Sequence, residues 1–201
     1  GEDCLFFVDD AQALSDAASI ERARMVEWAM AEAAAERTRV AEDAAIKCVE
    51  LWNRAGNIDP GHAYVERKGI KPAGAKQWGD ALLIPLRDAG GRLRSLQFIQ
   101  PDGSKRFKSG GAVASCYSAV GDKPGPDALL LICEGWATAC SLHEATGHPV
   151  AASMNAGNLL AVAQALRATM PDVPMMVCAD DDIATVGNPG LTKAQEAAQA
   201  I

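Results

Sequence analysis

The sequence contains no long apolar run: the longest lies near residues 128–133, far short of the roughly 18–20 residues that a membrane helix requires. Its acidic N-terminus shows no signal-peptide pattern, and the expectation is a cytoplasmic protein. Cysteine is present but unorganised. Cys4, Cys48, Cys116, Cys133, Cys140 and Cys178 are scattered with no C-x-x-C pair and no Cys/His cluster of zinc-ligand spacing, which excludes a disulfide framework and a zinc ribbon and predicts no zinc. Basic residues are scarce after position 127, where only Arg167 and Lys193 occur. What remains is 201 residues, 49% hydrophobic and 22% charged, enough for one or two domains with a real core. The first residue is Gly1, and the last, Ile201, interrupts an Ala-rich helical pattern. The expectation is a piece of a longer chain.

A net charge of −7 argues against a general nucleic-acid binder, but the charge is segregated. Residues 1–59 carry 6 basic and 13 acidic side chains, residues 60–127 carry 11 and 6, and residues 128–201 carry 2 and 7. A basic module therefore sits between acidic ones, an arrangement suited to holding phosphate on one surface and divalent metal on another.

Residues 11–54 are rich in Ala, Glu and Arg without Gly or Pro, and Ala45, Cys48, Val49 and Trp52 recur at helical spacing. This predicts one or two structural helices that end at Gly56 and Asn57. From His62 the pattern changes to short strands: 81–86, a hairpin turn at Asp88-Ala-Gly-Gly91, and 93–99 in rough alternation, together a small mixed sheet. Lys105-Arg-Phe-Lys108 then runs into Ser109-Gly-Gly111, whose backbone amides can approach phosphate. Pro124-Gly-Pro126 suggests a boundary, giving segments 1–57, 58–127 and 128–201.

The third segment alternates strands (128–133, 149–154, 173–179) with helices (to about 145, and 159–169). Such alternation predicts an α/β fold with a parallel sheet flanked by helices, whose ligands collect beyond the carboxyl ends of the strands. Glu134 ends the first strand, and Asp180, Asp181 and Asp182 end the third. These carboxylates would repel one another without a neutralising partner, and hard oxygen donors select Mg2+ or Mn2+. Metal held this way can clamp phosphate oxygens.

A strand ending in Glu134-Gly135 and a later one ending in Asp180-x-Asp182 resemble the Toprim domain of topoisomerases and primases. Within that group the closer likeness is to the primases of conjugative plasmids, satellite phages and related mobile elements, often fused to helicases. Glu134-Gly-Trp-Ala-Thr-Ala139, Asn155-Ala-Gly-Asn158, Asn188-Pro-Gly190 and Lys193-Ala194 carry it. Ahead of them, His62-Ala-Tyr64, Arg67-Lys-Gly69, Leu83-Ile-Pro-Leu86 and Gly103-Ser-Lys-Arg-Phe107 are similar to the basic segment of those primase cores.

The resemblance implies synthesis of short RNA primers on single-stranded DNA from ribonucleoside triphosphates by nucleotidyl transfer, alongside a fused or separate helicase. It implies Glu134, Asp180 and Asp182 as metal-binding catalytic carboxylates with Asp181 contributing, and Arg67, Lys68, Lys105, Arg106, Lys108 and Asn155 facing template or nucleotide. Two other readings are a Toprim nuclease, which would use the same carboxylates to hydrolyse a phosphodiester, and a catalytically idle single-strand-binding module, whose affinity would come from the basic segment. Trp136 reads as core, Trp78 and Tyr64 as candidates for base stacking, and His62 as a candidate nucleic-acid contact. Asn158 reads as a cap or turn residue.

Overall fold

The computed structural model describes residues 3–125, 128–181, 185 and 187–201. Asp182, one of the expected metal ligands, lies outside the described residues, as does Asp127 at the expected module boundary. Residues 3–54 form one helix, α1 (Asp3–Arg54), where the sequence allowed one or two. The chain divides into two compact units, Gly1–Val40 and Ala41–Ile201. The first consists of the N-terminal part of α1, whose side chains from residue 18 to 40 are exposed. Among the described residues no helix is long and apolar enough to cross a membrane.

In the second unit the end of α1 packs through Cys48, with Leu51 and Trp52, against Leu83, Leu93 and Leu96, and Ala44 and Ala45 are also buried. The buried stripe is rotated from the expected one: Val49 is exposed and Ala44 is buried. A short helix α2 (Ala63–Lys68) follows, then strands β1 (Lys76–Trp78), β2 (Ala81–Arg87), β3 (Leu93–Ile99) and β4 (Lys105–Phe107) in the order β1-β2-β3-β4. Every pairing in this sheet is antiparallel, so it is not mixed as the sequence suggested. Consecutive strands joined by tight turns need no crossover helix, and the Asp88–Arg92 turn supplies the central hairpin.

Alternation along the strands gives this sheet two different faces. Leu82, Ile84, Leu86 and Ile99 look toward α2 and the second sheet, while Leu83, Leu93 and Leu96 look toward α1. Both faces are covered, which is why β2 reads as a nearly unbroken apolar run.

The second sheet comprises β5 (Ser118–Val120), β6 (Leu130–Cys133), β7 (Val150–Ala152) and β8 (Met175–Val177) in the order β5-β7-β6-β8. The three strands β7, β6 and β8 are parallel, linked by α3 (Trp136–Thr146) and α4 (Leu159–Thr169). The edge strand β5 is antiparallel to β7, an addition the expected all-parallel sheet did not include. It arrives from upstream of residue 128, so the hydrogen-bonded sheet crosses the expected boundary. A last helix, α5 (Pro189–Gln199), packs through Ala194 and Ala197 with α4 residues Leu159, Val162 and Leu166.

Candidate metal centre and nucleic-acid interface

Because β6, β7 and β8 run parallel, their carboxyl ends open on one edge of the sheet. Pairing continues slightly past the strands: Ser153 N donates to Cys133 O at 2.9 Å, Met154 N to Glu134 O at 2.7 Å, and Cys178 N to Ile132 O at 2.7 Å. The backbone of Glu134 is thereby tied to the end of β7, and the segment leading to Asp180 to the end of β6.

Glu134 and Asp180 are both half-buried. Burial pushes the Cys133 thiol far up from its ordinary range, and the nearby Cys178, Asp180, Cys140 and Glu134 push it in the same direction. The parallel pairing and these backbone bonds place both residues at the carboxyl edge of the sheet. Asp181 is exposed and accepts a hydrogen bond from Asn188 Nδ2 at 2.7 Å, so its carboxylate is tied to the N-cap of α5.

Among the described residues no three His, Cys, Asp or Glu side chains gather as a ready metal site. The donor chemistry nevertheless fits a hard divalent ion, since Glu134 and Asp180 offer carboxylate oxygens at a shared edge. The only two basic side chains of residues 128–201 are engaged elsewhere. Arg167 Nη1 donates to Pro171 O and Val173 O, and Lys193 pairs with Glu196.

The basic residues fall on two faces of the first sheet. Arg67 and Lys105 lie over the Tyr64 ring, 5.6 and 5.8 Å from its centroid, and the Lys68 charge also acts on the Tyr64 phenol. Arg67 Nη1 donates to Pro101 O at 3.0 Å, and Gly103, at φ +93°, brings the following turn against the guanidinium. Arg106 points the other way, over Phe98 at 5.1 Å, and the field of Lys108 reaches Cys48 on the α1 side. The structure therefore brings Arg67, Lys68 and Lys105 together but separates them from Arg106 and Lys108, because neighbouring strand residues alternate faces.

Several candidates have structural roles. His62 is buried; its Nδ1 accepts from Tyr64 N as the N-cap of α2, while Nε2 donates to Asp80 O at 2.9 Å, which leaves no ring nitrogen for nucleic acid. Tyr64 is only 2% exposed, too enclosed to stack a base, whereas Trp78 is exposed with Arg54 over its ring. Trp136 is core as expected, and its Nε1 donates to Ala73 O at 2.9 Å. Asn155 is half-buried and extended, and its carbonyl accepts from Ser153 Oγ and Asn158 N.

The residue that sequence reasoning undervalued is Asn158. It makes no N-cap bond; its buried amide instead bonds residues 113–116 and Ser153. Its place in Asn155-Ala-Gly-Asn158 directed attention to it, but three of these four partners lie more than forty positions upstream.

These features define an α/β domain with acidic side chains where parallel strands end, preceded by a basic antiparallel module. Residues 129–201 match the sequence model described as the Toprim domain, and with the fold this places that stretch in the Toprim domain family. Two curated DNA primases TraC from Escherichia coli are 44% and 43% identical over 150 residues, 69% of this chain. That similarity is longer than the Toprim segment and so includes residues before it. The chain spans only 14% and 10% of those two relatives. The crystal structure of the primase fragment of the bacteriophage T7 primase-helicase protein superposes with a TM-score of 0.52 at 16% identity, covering 73% of this chain and 66% of that one. This likeness shows a shared fold.

Proposed function

We propose that this chain is the catalytic core of a mobile-element DNA primase, a nucleotidyltransferase that makes short RNA primers on single-stranded DNA during plasmid or phage replication. The observation that carries this reading is the pairing of one acidic strand edge, where parallel strands bring Glu134 and Asp180 to one end of the sheet, with a separate basic cluster of Arg67 and Lys105 over Tyr64 and Lys68 at the end of the same helix α2. Similarity to DNA primases TraC across more than the Toprim segment supports it.

In this reading Glu134, Asp180 and Asp182 hold Mg2+ or Mn2+, which supplies Lewis-acid stabilisation of charge on phosphate oxygens. Asp181 has a supporting part, since its carboxylate is tied to Asn188. Arg67, Lys68 and Lys105 hold template or nucleotide phosphates, Asn155 faces the nucleotide, and Arg106 and Lys108 offer a secondary contact from the opposite face of the sheet. Ribonucleoside triphosphates, single-stranded DNA and a fused or separate helicase are the partners, and the setting is cytoplasmic.

The test is incubation with single-stranded DNA, labelled ribonucleotides and Mg2+ or Mn2+, with products resolved on a sequencing gel. Short labelled oligomers from the wild type, reduced about 100-fold or more in Asp180→Ala and Glu134→Gln, are expected. Shortened DNA without new oligomers would make the chain a nuclease. DNA binding by all three proteins without any product would leave it a binding module.

A further inference from the structure

Asn158 is 6% exposed and lies between the loop leaving the basic module and the end of β7. Its Nδ2 donates to Val113 O at 3.1 Å, Cys116 O at 2.9 Å and Ser153 O at 2.8 Å. Its Oδ1 accepts from Ser115 N at 2.8 Å, on a residue held at φ +58°. A buried carbonyl that loses its donor is costly, and here the two N–H groups of one amide are shared among three.

Both ends of this connection lead to parts of the candidate site. On one side, Cys116 N bonds Val113 O, and Gly111 N bonds Lys108 O at the end of the basic hairpin. Gly111 leaves no room for a side chain against Ser95 Oγ, so the loop is fixed closely to β3. On the other side, Ser153 N bonds Cys133 O and Met154 N bonds Glu134 O. The amide thus joins the basic module to the strand end that holds the backbone of Glu134.

We propose that Asn158 is a positioning residue that sets the spacing between nucleic acid on the basic module and the ion at the carboxylate edge; the catalytic part of this inference rests on the primase reading. Asn158 touches neither partner. Removing its amide deletes neither the DNA-binding groups Arg67 and Lys105 nor the carboxylates Glu134 and Asp180, but the two bound components lose their register. A misplacement of about 1 Å can lower turnover about 100-fold.

The experiment compares wild type, Asn158→Ala, Asn158→Asp and, as a destabilised control, Leu166→Ala, whose side chain is buried in the core on the same helix. Three quantities are measured well below the melting temperature: affinity for a fluorescent single-stranded oligonucleotide, affinity for Mn2+ by electron paramagnetic resonance, and primer synthesis. A fourth readout needs no turnover: Fe2+ replaces the ion, and ascorbate with peroxide cuts the bound oligonucleotide near it.

Expected for both Asn158 variants are affinities within about twofold of wild type, synthesis down about 100-fold, and cleavage spread over a wider window. The aspartate fails like the alanine because a carboxylate cannot donate to three carbonyls. Leu166→Ala should retain the wild-type rate and cleavage window. If wild type makes no primers, the primase reading fails, and the cleavage window alone decides the role of Asn158. An unchanged window in both variants, or a loss of DNA and Mn2+ affinity matching that of an equally destabilised control, would overturn the proposal.

Discussion

Replacing Gly74 by alanine tests how closely the segment leading into β1 packs on β5 of the second sheet. Gly74 has φ +67°, and a Cβ there would fall well inside 3.0 Å of Ala119 O, a backbone atom of β5. Gly69 is the matched control: its φ is +60°, yet nothing lies within 4 Å of a Cβ. Both substitutions incur the left-handed backbone cost of about 1–2 kcal/mol. Only Gly74→Ala adds an overlap with an atom that cannot rotate away, an overpacking cost of about 1–3 kcal/mol. At about 2–4 °C per kcal/mol for a chain of this size, Gly69→Ala should melt about 2–8 °C below wild type and Gly74→Ala about 4–20 °C below. Differential scanning calorimetry of all three proteins in one buffer checks this. Melting of the two variants within about 2 °C of each other, equivalent to less than about 1 kcal/mol, would refute the claim of tight contact.

Two further expectations follow from the charges. Burial pushes the Cys140 thiol up to about 11, against about 8.5 in an unfolded chain. The folded state therefore holds that proton more tightly, and the resulting stability, about 3 kcal/mol, is intact below pH about 8.5 and lost as pH rises towards 11. Urea midpoints between pH 8 and 10.5 should fall less steeply for Cys140→Ala than for wild type, with Cys133 keeping part of the slope; identical slopes would reject this. For nucleic acid, Arg67→Ala should weaken single-strand binding and reduce the logarithmic salt slope by about 0.7, whereas Arg106→Ala, on the opposite sheet face, should change the slope by less than half as much.

The sequence showed the alternating strands and helices of residues 128–201 well, because buried strands of four residues and amphipathic helices of eleven carry separate local patterns. The helix expected at 159–169 is α4. Glu134 and the segment of Asp180 were readable as edge residues for the same reason: a parallel sheet places strand ends together. Pairings between distant segments were not readable. Nothing local in Ser118-Ala-Val120 marks it as the antiparallel partner of β7, and the directions of Arg106 and Lys105 depend on strand register. His62 read as a candidate nucleic-acid contact because it opens the basic segment; the partner of its Nε2 is Asp80 O, eighteen residues on. Asn158 likewise gained its role only when residues 113–116 folded over it.

The pairing of β5 with β7 also governs how this protein can be divided. The segment that carries the Toprim match begins after β5, so a fragment cut at that point would leave β7, with buried Val150, Ala151 and Ala152, as an uncovered sheet margin. Such margins recruit strands from other molecules. A fragment that begins before Ser118 keeps β5 on β7 and moves the sheet edge to β5, and it is expected to aggregate less than one cut at residue 129.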